Sequence, residues 1–286
     1  MWPWHDYSGR LSWFKLAVFL ALFVPGAFLV ADYIMGNLGG RPANAAVREV
    51  GRWMIRLLFV SLAVTPLRES LGLTRLIEVR RMIGVAAFAY GFAHITLYVV
   101  QEKWALLFVA TEIVKRIYLT IGFVGLVGLA VLAATSTDGW MHRLGPRWQK
   151  LHRIIYVIAI LASVHFFMQS KATVTEPILM MGFYLWLMAA RMYSRRLGRR
   201  RPGGVALAVI GAASAVTTAL GEAGYYAIKL GVNPLMVLEA NFAVIAFRPA
   251  WGVAIGAAIV LVLALARTGW RRITAARAAA GAGTAA

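Results

Sequence analysis

Three histidines in long apolar stretches are the residues of this chain best suited to redox chemistry. His94 and His165 lie inside apolar runs of membrane-helix length, and His152 lies at the start of the run that contains His165. Ionisable side chains at such depth are costly to bury and are functional candidates for that reason. The chain has no cysteine, which excludes thiolate ligands, disulfides and haem attachment through a CxxCH motif. A redox metal must therefore be held by other side chains.

His94 and His165 have the spacing expected of a facing pair. His94 lies 13 residues beyond Arg81, and His165 lies 13 residues beyond His152. At a rise of about 1.5 Å per residue, both are expected about 20 Å above the starts of parallel helices, and so at one level. Zn²⁺ would require three or four ligands, whereas two facing imidazoles can ligate the iron of a non-covalent haem from both sides. The pattern favours bis-histidine haem b.

The role of His152 stays open between two interpretations. A position about 20 Å below His165 would suit a second haem that relays electrons across the bilayer. The residues of the other helix at that level are Arg80 and Arg81, so the second ligand is missing. Thirteen residues at about 100° each also leave His152 and His165 about 140° apart. The alternative is a structural histidine at a helix start.

The arginines at this level are the second group of candidate site residues. Arg80 and Arg81 are suited to pairing with haem propionates or with a flavin phosphate, because a guanidinium binds such anions with parallel hydrogen bonds. Basic residues at a helix end also determine membrane topology, and this simpler explanation stays open for both.

The composition indicates the helices that must position these residues. Of 286 residues, 61% are hydrophobic and 14% charged, and the mean hydropathy is +0.72. Soluble chains have roughly 45–50% apolar and about 25% charged residues. The net charge of +19 comes from short basic clusters between apolar runs, which is typical of orientation signals in a lipid bilayer and argues against nucleic acid as a partner. The sequence predicts an all-α integral membrane protein.

Eight apolar runs are long enough, or nearly so, to cross a bilayer as helices. They are residues 11–31, 51–66, 82–100, 117–134, 151–170, 177–192, 204–228 and 249–266. The N-terminus and the loops after the even-numbered runs hold most of the Lys and Arg residues. The positive-inside rule therefore places both termini in the cytoplasm.

An arginine-rich stretch divides the predicted helices into two groups. We interpret residues 197–203 as a basic cytoplasmic linker between a six-helix haem-binding bundle, residues 1–196, and a two-helix extension, residues 204–274. Residues 275–286 are nearly all Ala, Gly and Thr and are expected to be disordered. Glu222, in the seventh predicted helix, is expected to snorkel or to pair with Lys229.

Separated motifs of the first group resemble the MsrQ (YedZ) family of the ferric-reductase-like transmembrane group. The resemblance covers roughly residues 11–196 and does not extend to the two-helix extension. The motifs are RRMIG at 80–84, HITLY at 94–98, KRIYLT at 115–120, TST at 135–137 and LGPRWQKLHRIIY at 144–156. Their order along the chain makes the resemblance more specific than any single histidine.

The resemblance implies a non-catalytic haem b subunit of the bacterial inner membrane. Such a subunit passes electrons to MsrP, a periplasmic molybdopterin enzyme that reduces methionine sulfoxide in oxidised proteins. The electrons come from the quinone pool or from a cytoplasmic flavin reductase. His94, His152 and His165 match the haem-associated histidines of the family, with one haem or two. FMN is also attributed to the family, but this sequence has no glycine-rich phosphate loop that would place it.

Two other function classes remain as alternatives. A transmembrane ferric or quinone reductase would use the same haem and deliver electrons to a small molecule. A polytopic transporter would be marked by intramembrane carboxylates and broken helices around a central site. Glu222 is the one carboxylate inside a predicted helix, so the sequence favours electron transfer.

Overall fold

The chain folds into helices throughout the part that the structure describes. A computed structural model describes residues 2–6, 8–170, 173–197, 202–243 and 247–283, and within these ranges it contains no β-strand, only an isolated bridge between His5 and Leu11. The predicted all-α class is confirmed. The helices are α1 (Trp13–Ala21), α2 (Val24–Ile34), α3 (Pro42–Leu71), α4 (Ile77–Gln101), α5 (Leu106–Lys115), α6 (Ile117–Ala134), α7 (Asp138–Leu144), α8 (Pro146–Leu151), α9 (Ile155–Gln169), α10 (Thr175–Arg196), α11 (Gly204–Leu230), α12 (Pro234–Glu239) and α13 (Pro249–Gly283).

Seven helical stretches of the described residues are long and apolar enough to cross a membrane. They are Trp13–Ile34, Pro42–Leu71, Thr74–Gln101, Ile117–Ala134, Pro146–Gln169, Gly204–Leu230 and Pro249–Ala275. The remaining predicted run, residues 177–192, lies in α10, a helix of 22 residues that is not among these seven. Large apolar side chains such as Phe28 and Val205 are exposed, as expected for residues that contact lipid. The chain is a multi-pass membrane protein.

Two compact units make up the chain. The first contains residues 1–64 and 75–177, and the second contains residues 65–74 and 178–286. Most of α10 therefore belongs with the two-helix extension, whereas the sequence predicts it as the sixth helix of the haem-binding bundle. The physical reason is close packing: a Cβ atom added at Gly182 of α10 would lie 2.7 Å from Cγ2 of Val253 in α13. Such small-residue contacts hold membrane helices together.

The first span is broken at Leu22, between α1 and α2. Pro25 stands near the start of α2, and its ring removes a backbone donor. The hydroxyl of Tyr90 donates to the carbonyl of Leu22 at 2.8 Å and accepts from the backbone N–H of Gly26 at 3.0 Å. One side chain from α4 thus satisfies two backbone groups that the break leaves free, which matters where no water is available.

A short helix that the apolar runs do not predict, α5, lies between two spans of the first unit. Lys103 and Trp104, which precede it, have φ angles of 52° and 62°. Two consecutive non-glycine residues in the left-handed region are uncommon and are held there by surrounding structure. The hydroxyl of Thr120 donates to the carbonyl of Ile113 at 2.5 Å and ties α5 to α6.

A buried ion pair lies in the second unit. Glu222 of α11 is 1% exposed, and its Oε1 atom accepts a hydrogen bond from Nη1 of Arg248 at 3.1 Å. Glu222 therefore pairs with Arg248, which immediately precedes α13, and not with Lys229, the partner that the sequence predicts. A glycine at 231 with φ of 66° ends α11 in the left-handed conformation and lets the chain turn.

Two sequence predictions concern the basic linker and the C-terminal tail. Arg199, Arg200 and Arg201 of the predicted linker lie outside the described residues. The last helix, α13, extends to Gly283 and so into residues 275–286, which the sequence predicts to be disordered. Alanine has the highest intrinsic helix propensity, which accounts for the continuation of the helix.

Candidate functional site

The structure brings His94 of α4 and His165 of α9 together in the first unit. The centroids of their imidazole rings are 6.3 Å apart, and the ring planes are inclined at 81°. Both histidines are half-buried. The spacing of the two histidines in the sequence predicts such a meeting at one level.

A backbone carbonyl orients each ring. Nδ1 of His94 lies 2.8 Å from the carbonyl oxygen of Val47, and Nδ1 of His165 lies 2.7 Å from that of Tyr118. The two bonds join residues with the same sequence separation, 47. Because a carbonyl can only accept, Nδ1 must carry the proton in both rings, and Nε2 keeps its lone pair. This is the tautomer that a metal-binding histidine requires.

Each ring also lies directly against a glycine. A Cβ atom added at Gly51 would lie 2.9 Å from Nδ1 of His94, and one added at Gly122 would lie 2.6 Å from Nδ1 of His165. Each glycine is four residues beyond the residue that supplies the carbonyl, so the two groups lie on one face of their helix. The absence of a side chain at these two positions lets each ring approach the backbone.

The two rings line an open cavity with about 660 Å³ of atom-free space, part of it continuous with the outside. Its other walls are largely apolar, with Tyr98 and Gln169 as the additional polar side chains. The remaining lining residues are Val47, Met54, Gly91, Ile95, Ile113, Leu119, Gly122, Phe123 and Leu126. An apolar cavity with a few converging polar groups is typical of a cofactor site.

The geometry of the pair fits a metal bound between the rings. Two metal–imidazole bonds of about 2 Å each would separate the ring centroids by roughly 6 Å, which matches the observed 6.3 Å. In the described part of the chain, no group of three or more His, Asp or Glu side chains is placed to hold a metal ion. Two opposed ligands with an apolar surround suit an iron porphyrin, whose ring supplies the other four donors.

His152 is not brought to this pair. Its ring stacks on Trp148, with centroids 3.9 Å apart and planes inclined at 26°, and its Nε2 atom lies 3.1 Å from the hydroxyl of Thr135. That hydroxyl donates its own hydrogen to the carbonyl of Val131 at 2.7 Å, so it accepts from the histidine. Nε2 of His152 therefore carries a proton, the opposite of the tautomer in the other two histidines.

Arg80 and Arg81 also lie away from the paired rings. They stand 14 and 13 residues before His94 on the same helix, about 20 Å along its axis. Arg81 pairs with Asp138 and contacts Sδ of Met141 at 3.3 Å, while the backbone carbonyl of Arg80 accepts from the hydroxyl of Ser61. Their proposed role with a cofactor would therefore concern a site other than the one between His94 and His165.

The sequence did not reveal the residues that orient the two imidazole rings. Val47 and Tyr118 act through their backbones, which carry no side-chain signature. A signal for Gly51 was present, however: the same number of residues separates Gly51 from His94 as separates Gly122 from His165. This repeated Gly–His spacing would have paired each histidine with its supporting helix.

Comparison with known proteins connects the site to a family. Residues 50–163 match the family described as ferric reductase like transmembrane component. The match includes His94, Gly122 and His152 and ends two residues before His165. No solved structure matches this chain.

Several curated relatives share one name, protein-methionine-sulfoxide reductase heme-binding subunit MsrQ. The protein from Xanthomonas campestris pv. campestris is 40% identical over 195 residues, which cover 65% of this chain and 88% of the relative. The protein from Rhodospirillum rubrum is 37% identical over 193 residues, 66% of this chain and 91% of the relative. The protein from Caulobacter vibrioides is 38% identical over 183 residues, 63% of this chain and 86% of the relative.

Proposed function

Because this chain belongs to the MsrQ family, we propose that it is a haem-binding, electron-transferring membrane subunit of a methionine sulfoxide reductase system. In this proposal His94 and His165 would hold a haem b between them. The observation that carries it is the pair of imidazole rings 6.3 Å apart, each fixed by a carbonyl so that Nε2 is free for iron.

The residues of the chain hold and shield the cofactor. The carbonyls of Val47 and Tyr118 keep the two rings in the metal-binding tautomer and raise the basicity of Nε2. Apolar walls such as Leu119 and Phe123 would contact the apolar ring of the haem. Haem bound in this way supplies reversible one-electron transfer. The chain itself is then a conductor and not the catalyst.

The path of the electrons follows from the orientation of the chain. The distribution of Lys and Arg supports a multi-pass protein of the bacterial inner membrane with both termini in the cytoplasm. In this orientation the paired histidines lie toward the periplasm. Electrons enter from the quinone pool or from a cytoplasmic flavin reductase and leave to MsrP, the periplasmic molybdopterin enzyme that reduces methionine sulfoxide.

Two finer parts of the proposal concern a second haem and FMN. A second haem at His152 would require Trp148 and Thr135 to release the ring, because both contact it. Arg80 and Arg81 would then be the cations nearest to that second haem. FMN stays a prediction without an assigned site.

Absorption spectroscopy of the purified protein tests the haem assignment. We expect the paired visible bands of six-coordinate haem b after reduction with dithionite. His94→Ala and His165→Ala should each remove this spectrum, because one imidazole cannot complete the coordination. His142→Ala, which changes an exposed histidine in α7, is the matched control and should retain a full complement of haem.

The stoichiometry of haem separates the one-haem and two-haem forms of the proposal. A haem content near two that falls to one in His152→Ala would support the second site. If His94→Ala or His165→Ala kept the spectrum and the reduction potential of the unaltered protein, the axial assignment would be wrong.

A second candidate function is favoured by the family match over residues 50–163. A transmembrane ferric or quinone reductase would contain the same histidine pair and would reduce a small molecule directly. Purified protein in vesicles with a reducing donor on one side decides between the two functions. Rapid reduction of ferric chelate or quinone in the absence of any protein partner would support the reductase, and dependence on a secreted molybdoenzyme would support the subunit. The transporter alternative gains no support, since Glu222 is paired with Arg248.

A further inference from the structure

The cavity between the two histidines has a polar end. Tyr98 lies four residues beyond His94 on α4, and Gln169 lies four residues beyond His165 on α9. Residues four apart occupy the same face of a helix, so each polar side chain stands about 6 Å further along the face of its histidine. We call Tyr98 and Gln169 the polar end of the cavity. Gln169 is exposed, so water reaches this end.

The opposite end of the cavity is apolar. Met54, Gly91 and Leu126 line it, and Gly91 stands one helical turn before His94. A Cβ atom added at Gly91 would lie 2.9 Å from Cδ1 of Leu126 and 3.2 Å from Cγ of Met54, so these residues pack without a gap. A carboxylate at this end would lose its hydration without gaining a hydrogen-bond donor, which is strongly unfavourable.

Hydrogen-bond donors distinguish the polar end from the rest of the cavity. Glu102, Glu112 and Arg116 are within electrostatic reach of the Tyr98 hydroxyl, and Arg116 pairs with Glu112. The guanidinium also donates from Nη1 to the hydroxyl of Tyr118 at 3.3 Å. The tyrosine hydroxyl and the glutamine amide are both hydrogen-bond donors. Hydrogen-bond donors and water are therefore gathered at one end of a cavity whose other walls are largely apolar.

A haem has the matching distribution of polarity, with an apolar ring and two propionate carboxylates at one edge. We propose that Tyr98 and Gln169 bind these carboxylates, so that the polar end of the cavity determines how the porphyrin is oriented between His94 and His165. The assignment rests on the proposed function. It also excludes Arg80 and Arg81 as partners of the same carboxylates, because they lie about 20 Å away along α4.

Reconstitution of the full-length apoprotein with two forms of the cofactor tests this assignment. The probes are iron protoporphyrin IX and its dimethyl ester. In the ester both propionates are neutral methyl esters, which are weaker hydrogen-bond acceptors than carboxylates. We expect the unaltered protein to bind the free acid about tenfold or more tightly than the diester, because hydrogen bonds to a charged group contribute appreciably. In Tyr98→Phe/Gln169→Leu the ratio of affinities should fall to about one, mainly through loss of affinity for the acid.

Matched controls separate carboxylate binding from general damage. Tyr33→Phe and Gln149→Leu change the same residue types at exposed positions outside the cavity and should keep the preference for the acid. Six-coordinate spectra with the diester report that the histidine pair is intact in each variant.

Each remaining outcome contradicts a stated proposal. Equal affinity of the unaltered protein for acid and diester would overturn the carboxylate assignment, as would a preference that survives in the double variant. A double variant that binds neither form would also contradict it, since the diester should bind unchanged. Failure of the unaltered protein to bind either porphyrin would instead overturn the proposed haem function itself.

Discussion

Gly122 and His165 are in direct contact, since a Cβ atom added at Gly122 would lie 2.6 Å from Nδ1 and 2.8 Å from Cε1 of the imidazole. The same ring donates to the carbonyl of Tyr118, which lies one helical turn before Gly122 on α6. A side chain at position 122 would therefore displace the ring from its hydrogen bond as well as from its position. The contact makes the glycine a positioning residue for the proposed ligand.

Gly122→Ala is expected to disturb the haem without unfolding the protein. The added methyl group must push His165 away from the Tyr118 carbonyl, so the imidazole would hold a haem less firmly and the reduction potential would change. We expect loss of haem or a changed six-coordinate spectrum in the purified variant. Gly125→Ala is the control, because its Cβ atom would lie 3.8 Å from Cβ of Leu161, an ordinary contact. An unchanged spectrum and reduction potential in Gly122→Ala would show that the position of the His165 ring does not depend on its contact with Gly122.

Tyr90→Phe is expected to destabilise the first unit. Its hydroxyl satisfies the carbonyl of Leu22 and the N–H of Gly26 at the break of the first span, and a phenylalanine would leave both without a partner. The cost should be about 1–3 kcal/mol, as for a buried polar group that loses its hydrogen bond. Chemical unfolding in detergent measures it, with Tyr33→Phe as the exposed control. Equal stability of the two variants would contradict the structural role of Tyr90.

Arg248→Met is expected to be more harmful than the replacement of both members of its ion pair. The single change leaves the carboxylate of Glu222, which is 1% exposed, without a counter-charge, at a cost of about 3–5 kcal/mol. Glu222→Gln/Arg248→Met removes both charges and should recover much of the loss. Unfolding free energies of the two single variants and the double variant give the coupling. Additive effects would show that the two side chains do not act as a pair.

The ion pair of Arg81 and Asp138 should contribute a small, pH-dependent stability. Hydrogen bonding and the charge of Arg81 lower the pKa of the Asp138 carboxyl from its ordinary value of 3.8. A carboxyl with a lowered pKa in the folded state contributes stability above its unfolded pKa and loses it as the pH falls through the folded value. Because both side chains are well exposed, Arg81→Gln should cost less than about 1 kcal/mol at pH 7.

Unfolding midpoints at two pH values measure this contribution. The difference between Arg81→Gln and the unaltered protein should be present at pH 7 and should disappear at a pH below the lowered pKa of Asp138. It should also shrink in high salt, which screens exposed charges. A difference that grows as the pH falls would have the wrong sign for this ion pair.

The helical class and seven of the eight predicted spans followed from hydropathy, because lipid imposes one solution on the backbone. Every N–H and C=O in the bilayer must be bonded within its own segment, so an apolar run of sufficient length forms a helix. The break at Leu22 and the helix α5 escaped this reasoning. Both depend on contacts with other helices, Tyr90 in the first case and Thr120 in the second.

The meeting of His94 and His165 was predictable from the sequence, but the groups that support their rings were not. Equal spacing from the helix starts placed His94 and His165 at one level, and the structure brings their rings together. The grouping of α10 with α11 and α13 was not predictable from the arginine-rich stretch, since it depends on how closely Gly182 approaches its neighbours.

The sequence by itself determined that this chain is an all-α membrane protein with two histidines at matching heights, because composition and the constant rise of a helix suffice for both conclusions. Only the tertiary structure decided which helix faces each ring, which nitrogen carries the proton and which end of the cavity is polar. These properties depend on the rotation of one helix about its axis relative to another. That rotation is determined by side-chain packing between distant residues such as Gly51 and His94, and no local pattern records it.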